Sequence, residues 1–174
     1  MCPTEDASRV WPVITSDTLQ SSLSMEQNIE MQVYNHRVPI QIRFNDVDRY
    51  GHVNNNSYFA YYDLGKEDYL CTVLDKYYRA NDVVPVIASI KADFIAPIFY
   101  GDPIVVETAV SHIGQRSFTL AQQAVNTETG VVLCRCQTVM VCFSVKGQCS
   151  ADMPDFFREA IERFEGKSLS NKPA

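Results

Sequence analysis

No stretch of this chain is long and apolar enough to cross a bilayer, so no transmembrane helix is expected. Basic runs are missing too: 15 lysines and arginines stand against 21 acidic residues, giving a formal net charge of -6 and a pI near 5.0. Nucleic-acid binding, which needs a clustered basic face to neutralise phosphates, is therefore not expected. The first 35 residues lack an uninterrupted apolar segment and carry Glu5, Asp6, Asp17, Glu26 and Glu30. That fits neither a signal peptide nor an Arg-rich transit peptide, and a soluble cytoplasmic protein is the expectation.

Paired cysteines are also absent. Cys2, Cys71, Cys134, Cys136, Cys142 and Cys149 show no C-x-x-C spacing, and Cys134, Cys136 and Cys142 share one parity of an expected strand. They read as small core residues with reduced thiols. The three histidines, His36, His52 and His112, lie at no ligand spacing from one another or from those cysteines, so no metal site is expected. Asn55-Asn56-Ser57 matches a glycosylation sequon by form, but at a helix start and without a secretory signal it reads as coincidence.

What is present is material for one core: 174 residues, 46% hydrophobic and 11% aromatic. Residues 1–34 are polar and read as an appended arm, with Trp11-Pro12-Val13-Ile14 as its docking candidate. Residues 35–166 read as the folded domain, and 167–174 as a flexible tail. Val38 to Phe44 alternates like a half-buried strand, and an aromatic-rich helix follows from Ser57 to about Leu74. After a polar connection, strand patterns run over Pro85 to Ile95, Ile104 to Ile113, Ser117 to Val125 and Val131 to Val145. Short turns join the later ones, which predicts an antiparallel meander. A short amphipathic helix opens at Met153-Pro154-Asp155 and runs to about Glu165. The central helix carries Phe59, Tyr62, Lys66, Tyr69 and Val73 on one spacing and Tyr58, Tyr61 and Gly65 on another. A helix apolar on several sides predicts an α+β domain whose sheet curves around it. Gly65 in mid-helix costs roughly 1 kcal/mol against Ala, which points to crowding against the sheet.

The most specific segment is Arg43-Phe44-Asn45-Asp46-Val47-Asp48-Arg49-Tyr50-Gly51-His52-Val53-Asn54-Asn55-Asn56-Ser57-Tyr58. It packs acids, a histidine and three asparagines into the turn between a strand and a helix N-terminus. Unpaired amides and the helix dipole there suit an anion or a developing oxyanion. Taken alone, Asp46 and Asp48 fit turn-capping as well as they fit catalysis, and Asn54, Asn55 and Asn56 fit side-chain caps.

With Asp46-Val47-Asp48, Gly51-His52-Val53-Asn54-Asn55 and Tyr58 in that order, the chain resembles the hotdog-fold acyl-CoA thioesterases, in particular the 4-hydroxybenzoyl-CoA thioesterase-like group. Asp93-Phe94-Ile95-Ala96-Pro97, Gly101-Asp102 and Ser117-Phe118 extend the resemblance over about residues 36–165. It implies a hotdog fold, a curved antiparallel sheet wrapped around a long central helix. It further implies hydrolysis of an acyl-CoA or acyl-carrier thioester, with Asp48 as catalytic carboxylate and the backbone N–H of Asn55 polarising the carbonyl. Asp46 stays structural in that reading. No cofactor is implied beyond the CoA of the substrate, and a homodimer or homotetramer is. Related acyl-carrier-protein thioesterases carry an asparagine where this chain has Tyr50, so a side-chain amide role does not transfer. The branch acting on 4-hydroxybenzoyl-CoA usually lacks the histidine kept here as His52, so an aryl substrate does not transfer either.

A thioester suits so small a site because a simple thiol, with a pKa of about 8.5, is a fair leaving group. Asp48 would activate water or attack directly, the Asn55 amide would hold the oxyanion, and His52 would orient Asp48 or water or protonate the sulfur. Tyr50, Asn54 and Tyr58 are candidates for substrate contact, and Arg116 and Ser117 for CoA phosphates. Tyr61, Tyr62 and Phe94 read as core ahead of acyl-pocket lining. Two other functions fit the same fold: a dehydratase acting on a 3-hydroxyacyl thioester, whose expected Asp-Pro-His loop context is missing here, and a non-catalytic acyl-binding or interaction module.

Overall fold

The computed structural model describes residues 32–74, 78 and 81–169. Contacts divide the chain between Met31 and Gln32, and the description below concerns the second unit. Most of the expected arm, including Trp11-Pro12-Val13-Ile14, lies outside the described residues, as do residues 170–174 of the expected tail.

Strand β1 (His36–Ile40) leads through a 3-10 turn (Phe44–Asp46) to helix α1 (Asn55–Leu74). Strands β2 (Val83–Phe94), β3 (Ile104–Ile113), β4 (Ser117–Asn126), β5 (Val132–Ser144) and the short β6 (Cys149–Ser150) follow, and helix α2 (Asp155–Glu165) closes the order. The sheet is antiparallel throughout, in the order β1-β3-β4-β5-β2 with β6 on β5. Only β3, β4 and β5 form the expected meander. β2 leaves its sequence neighbour β3 and pairs with β5 at the far edge, in a register that joins Phe94 to Cys134 and Val83 to Ser144.

Two boundaries differ from the sequence pattern for physical reasons. β1 stops at Ile40, short of Phe44, because its partner β3 begins opposite, at Ile104. The alternation expected along β2 breaks at a bulge between Ile87 and Ser89. As an edge strand β2 is exposed on both faces, with Val86, Ile87, Ile90 and Phe94 each about 40% accessible or more.

Helix α1 is 20 residues long, about 30 Å. It buries one stripe, Tyr58, Tyr61, Tyr62, Gly65, Tyr69 and Leu70, against the sheet, while Phe59 and Leu64 stay exposed. The sheet thus covers one side of the helix, and the grouping expected from the spacing shifts: Tyr62 and Tyr69 join the stripe of Tyr58, while Phe59 faces outward. Gly65 explains the close approach, since a Cβ there would stand 2.6 Å from Val106 Cγ1 and 3.1 Å from Thr108 Oγ1. Beside it the buried Gln122 amide donates to the Tyr62 carbonyl at 2.9 Å, tying β4 to the helix.

Two core clusters result. One gathers Tyr58, Tyr61, Tyr62, Val53, Ile98, Val106, Cys134 and Cys136 near the start of α1. The other gathers Tyr69, Leu70, Phe118, Met140, Cys142, Phe157 and Ile161 near its end, under α2. Cys134, Cys136 and Cys142 are buried and free, and burial pushes the Cys136 and Cys142 thiols up to about 11, which keeps them protonated and inert. At the far end of α2, Glu165 accepts the Tyr69 hydroxyl and the Val110 amide, a β3 donor that the short β1 leaves uncovered.

Candidate active site

Between β1 and α1 the chain folds into a small hairpin. The Asn54 amide donates to the Asp46 carbonyl (2.8 Å), Val47 bridges Val53, and the Asp48 amide donates to the His52 carbonyl (3.0 Å). The loop at its tip is Arg49-Tyr50-Gly51, closed by the Gly51 amide on the Asp48 carbonyl at 3.0 Å. Gly51 has φ +86°, the left-handed conformation that this three-residue hairpin loop requires and that glycine adopts without strain. This turn brings Asp48 and His52 side by side. The second arm is held in turn by segment 98–99: the Val53 amide donates to the Ile98 carbonyl at 2.7 Å, and His52 bridges Phe99.

Asp46 fastens the hairpin to the helix. Its Oδ2 accepts the Arg43 amide at 2.8 Å and the buried Tyr61 hydroxyl at 2.8 Å, and its carbonyl accepts the Ser57 hydroxyl at 3.3 Å. Burial pushes the Asp46 carboxyl up, but the Arg43 amide, the Tyr61 hydroxyl and the Arg43 guanidinium outweigh it and hold the group below the ordinary carboxylate value. Tyr61 is pushed the other way, by burial first and then by this carboxylate.

Asp48 caps the turn with one oxygen and leaves the other open. Oδ1 accepts the Tyr50 amide at 2.8 Å, a turn-stabilising bond, and Oδ2 stands 3.7 Å from His52 Nδ1. That separation is too long for a hydrogen bond, so Oδ2 keeps its lone pairs for another partner. The two side chains are partly open, Asp48 21% and His52 28% exposed.

Of the three asparagines, Asn54 is the N-cap: its Oδ1 accepts the Asn56 amide at 2.9 Å. The Ser57 amide donates to the Asn54 carbonyl at 2.8 Å. Among the first three amides of α1, that of Asn55 alone has no partner among the described residues, and Asn55 is exposed. One unpaired donor, at the positive end of a long helix, therefore stands one residue beyond the hairpin that carries Asp48 and His52.

The other candidates from the sequence fall into two groups. Tyr50 is at the hairpin tip, 68% exposed. Tyr58 is 2% exposed and its hydroxyl accepts the Ile98 amide at 3.2 Å, so it braces the segment that holds the hairpin; burial first of all pushes its own hydroxyl up to about 12. Arg116 and Ser117 are not brought to this place within one chain. They follow Ile113, whereas the hairpin is held by segment 98–99, which leads into Ile104 at the other end of β3, about 30 Å of strand away. Arg116 Nε pairs with Asp152 at 2.6 Å, the hydrogen bond holding the Asp152 carboxyl below its ordinary value, and its carbonyl accepts the Cys142 amide. Sequence reading gave Asp46 a structural part but had no sign of its partner, because Tyr61 is fifteen positions away and only the fold joins them. Among the described residues no three His, Cys, Asp or Glu side chains gather as a metal site, and no helix is long and apolar enough to span a membrane.

Known proteins are similar to this chain in sequence profile and in fold. The profile of a thioesterase-like superfamily matches residues 42–161. A thioesterase from Thermus thermophilus, solved in complex with coenzyme A and zinc, is 27% identical, with a TM-score of 0.70 over 80% of this chain and 100% of that one. A 1,4-dihydroxy-2-naphthoyl-CoA thioesterase from Synechocystis (22% identical, TM-score 0.65, 72% of this chain and 94% of that one) shares the fold. So does a probable thioesterase from Escherichia coli (22%, 0.68, 74% and 98%). These neighbours identify the curved sheet and its helix as a hotdog fold. No curated protein sequence matches the chain.

Proposed function

The chain belongs to the thioesterase-like superfamily, and from that premise we propose that it hydrolyses an acyl-CoA or acyl-carrier thioester to the free acid and thiol. The observation that carries this reading is the unpaired Asn55 amide next to the hairpin that holds the Asp48 carboxylate.

The thioester carbonyl oxygen accepts the Asn55 N–H, and the helix dipole adds to the polarisation. Asp48 Oδ2 then acts in one of two ways. As general base it takes a proton from water while the water oxygen bonds to the carbonyl carbon; as nucleophile it bonds to that carbon itself, and water later cleaves the acyl-enzyme. In either case negative charge grows on the oxygen at Asn55, and its collapse breaks the C–S bond. The thiolate leaves, with His52 near enough to Asp48 to supply or relay its proton. Coenzyme A in the complex with the Thermus protein supports a CoA thioester as substrate. A panel of short, long and aromatic acyl-CoAs, followed by free-thiol release, tests the assignment. Turnover of at least one class is expected, and a folded protein that hydrolyses none, as CoA or carrier thioester, would overturn it.

The reading includes a homodimer or homotetramer. β2 offers a sheet edge that is unpaired among the described residues, with Val86, Ile87, Ile90 and Phe94 exposed, and α1 offers Phe59 and Leu64, surfaces that a second copy would cover.

A further inference from the structure

We propose that Tyr50 is a positioning residue for Asp48 and His52, holding one through its backbone and the other through its ring; this deepens the hydrolase reading above and rests on it. Its amide donates to Asp48 Oδ1 at 2.8 Å and fixes the carboxylate. Its ring stacks on the His52 imidazole, centroids 6.1 Å apart and planes 22° from parallel, within the range of offset aromatic pairs. The imidazole needs such a support. Among the described residues neither of its nitrogens has a hydrogen bond, and its contact to Asp48 is 3.7 Å. The last torsion of a histidine is broad, so without hydrogen bonds only packing sets which way Nδ1 points.

The hairpin tip accounts for the contact. Tyr50 and His52 flank Gly51, whose positive φ turns the chain at the tip, and their rings meet there. On the outside, the Arg49 guanidinium lies 5.5 Å from the centre of the Tyr50 ring, and among the described residues Arg49 has no carboxylate partner. The Tyr50 ring thus lies against both the Arg49 guanidinium and the His52 imidazole, the latter beside Asp48. A ring 68% exposed adds little to the core, and its place is explained by the imidazole that it covers.

The role is separable from substrate contact because the ring and the amide are separable. Tyr50→Ala keeps the amide bond to Asp48 and removes the ring; Tyr50→Phe keeps the ring and removes the hydroxyl. With an acyl-CoA that the wild type turns over, Tyr50→Ala is expected to lower kcat by about 10-fold to 100-fold with KM little changed, and Tyr50→Phe to restore most of it. The imidazole C–H resonance of His52, assigned against His52→Gln, should shift in Tyr50→Ala and stay near the wild-type position in Tyr50→Phe. A rise in KM at unchanged kcat would overturn the proposal in favour of direct substrate contact. Equal losses in both variants would overturn it in favour of the hydroxyl, and an unmoved resonance in Tyr50→Ala would remove the stacking contact itself. The resonance needs no turnover, so failure of the hydrolase reading is told apart from failure of this one.

Discussion

The Tyr61 hydroxyl donates to Asp46 Oδ2 at 2.8 Å, and this buried bond joins the first turns of α1 to the hairpin that precedes them. Because the Asp46 carbonyl also receives the Asn54 amide, one residue fixes both the cap of the helix and the root of the loop carrying Asp48. The placement of Asp48 relative to the Asn55 amide thus depends on Asp46.

Asp46→Ala should therefore cost stability as well as activity. It strands the buried Tyr61 hydroxyl and the Arg43 amide, which predicts a loss of about 1–3 kcal/mol in denaturant unfolding. The pH dependence has a definite sign. A carboxyl held below its unfolded value contributes fully above that unfolded value, and the contribution fades as pH falls through the lower, folded value. Wild type should lose stability relative to Asp46→Ala only in the acid range below about pH 4. A constant difference down to the folded value would contradict this.

Gly65→Ala tests the approach of helix to sheet. In an open helix the change would help by about 1 kcal/mol. Here the added Cβ meets Val106 Cγ1 at 2.6 Å, with Thr108 and Gln122 behind it, and overpacking of about 1–3 kcal/mol should prevail. A lowered melting temperature is the expected result, and a raised one would show that α1 has room to move.

At Asn55 the backbone and the side chain are predicted to differ. Asn55 is the first residue of α1, a position where proline is well tolerated, so Asn55→Pro deletes the amide hydrogen without breaking the helix. Thiol release should fall by about 100-fold or more in Asn55→Pro and change little in Asn55→Ala. Equal effects would remove the oxyanion role from the amide.

The β2 edge predicts assembly. Wild type should run as a dimer or larger assembly by light scattering at micromolar concentration, and Ile87→Lys with Ile90→Glu should reduce its mass. A monomeric wild type would contradict the proposal.

Much of this was legible in the sequence where the signal is local. The pattern from Asp46 to Tyr58 located the loop and the helix start within two residues, because hairpin glycine and capping asparagine act over a few positions. Gly65 marked a close approach for the same reason, since an unfavourable residue in mid-helix needs a neighbour. Long-range relations were not legible. Nothing in Val83–Phe94 says that it pairs with β5 rather than β3, or that it lies at an edge of the sheet. The part of Tyr61 was hidden for the same cause: a tyrosine on a buried stripe reads as core until the carboxylate opposite is known. The contact of the Tyr50 ring with His52 was hidden as well, because it forms only across the turn at Gly51.

The most direct test of the account is the thiol-release rate of Asp48→Asn, a substitution that keeps the shape of the side chain and an oxygen for the Tyr50 amide. Hydrolysis should drop by at least about 100-fold while the melting temperature and acyl-CoA binding stay at wild-type values. Wild-type turnover by the purified variant would contradict the account, because no carboxylate would then be needed at position 48.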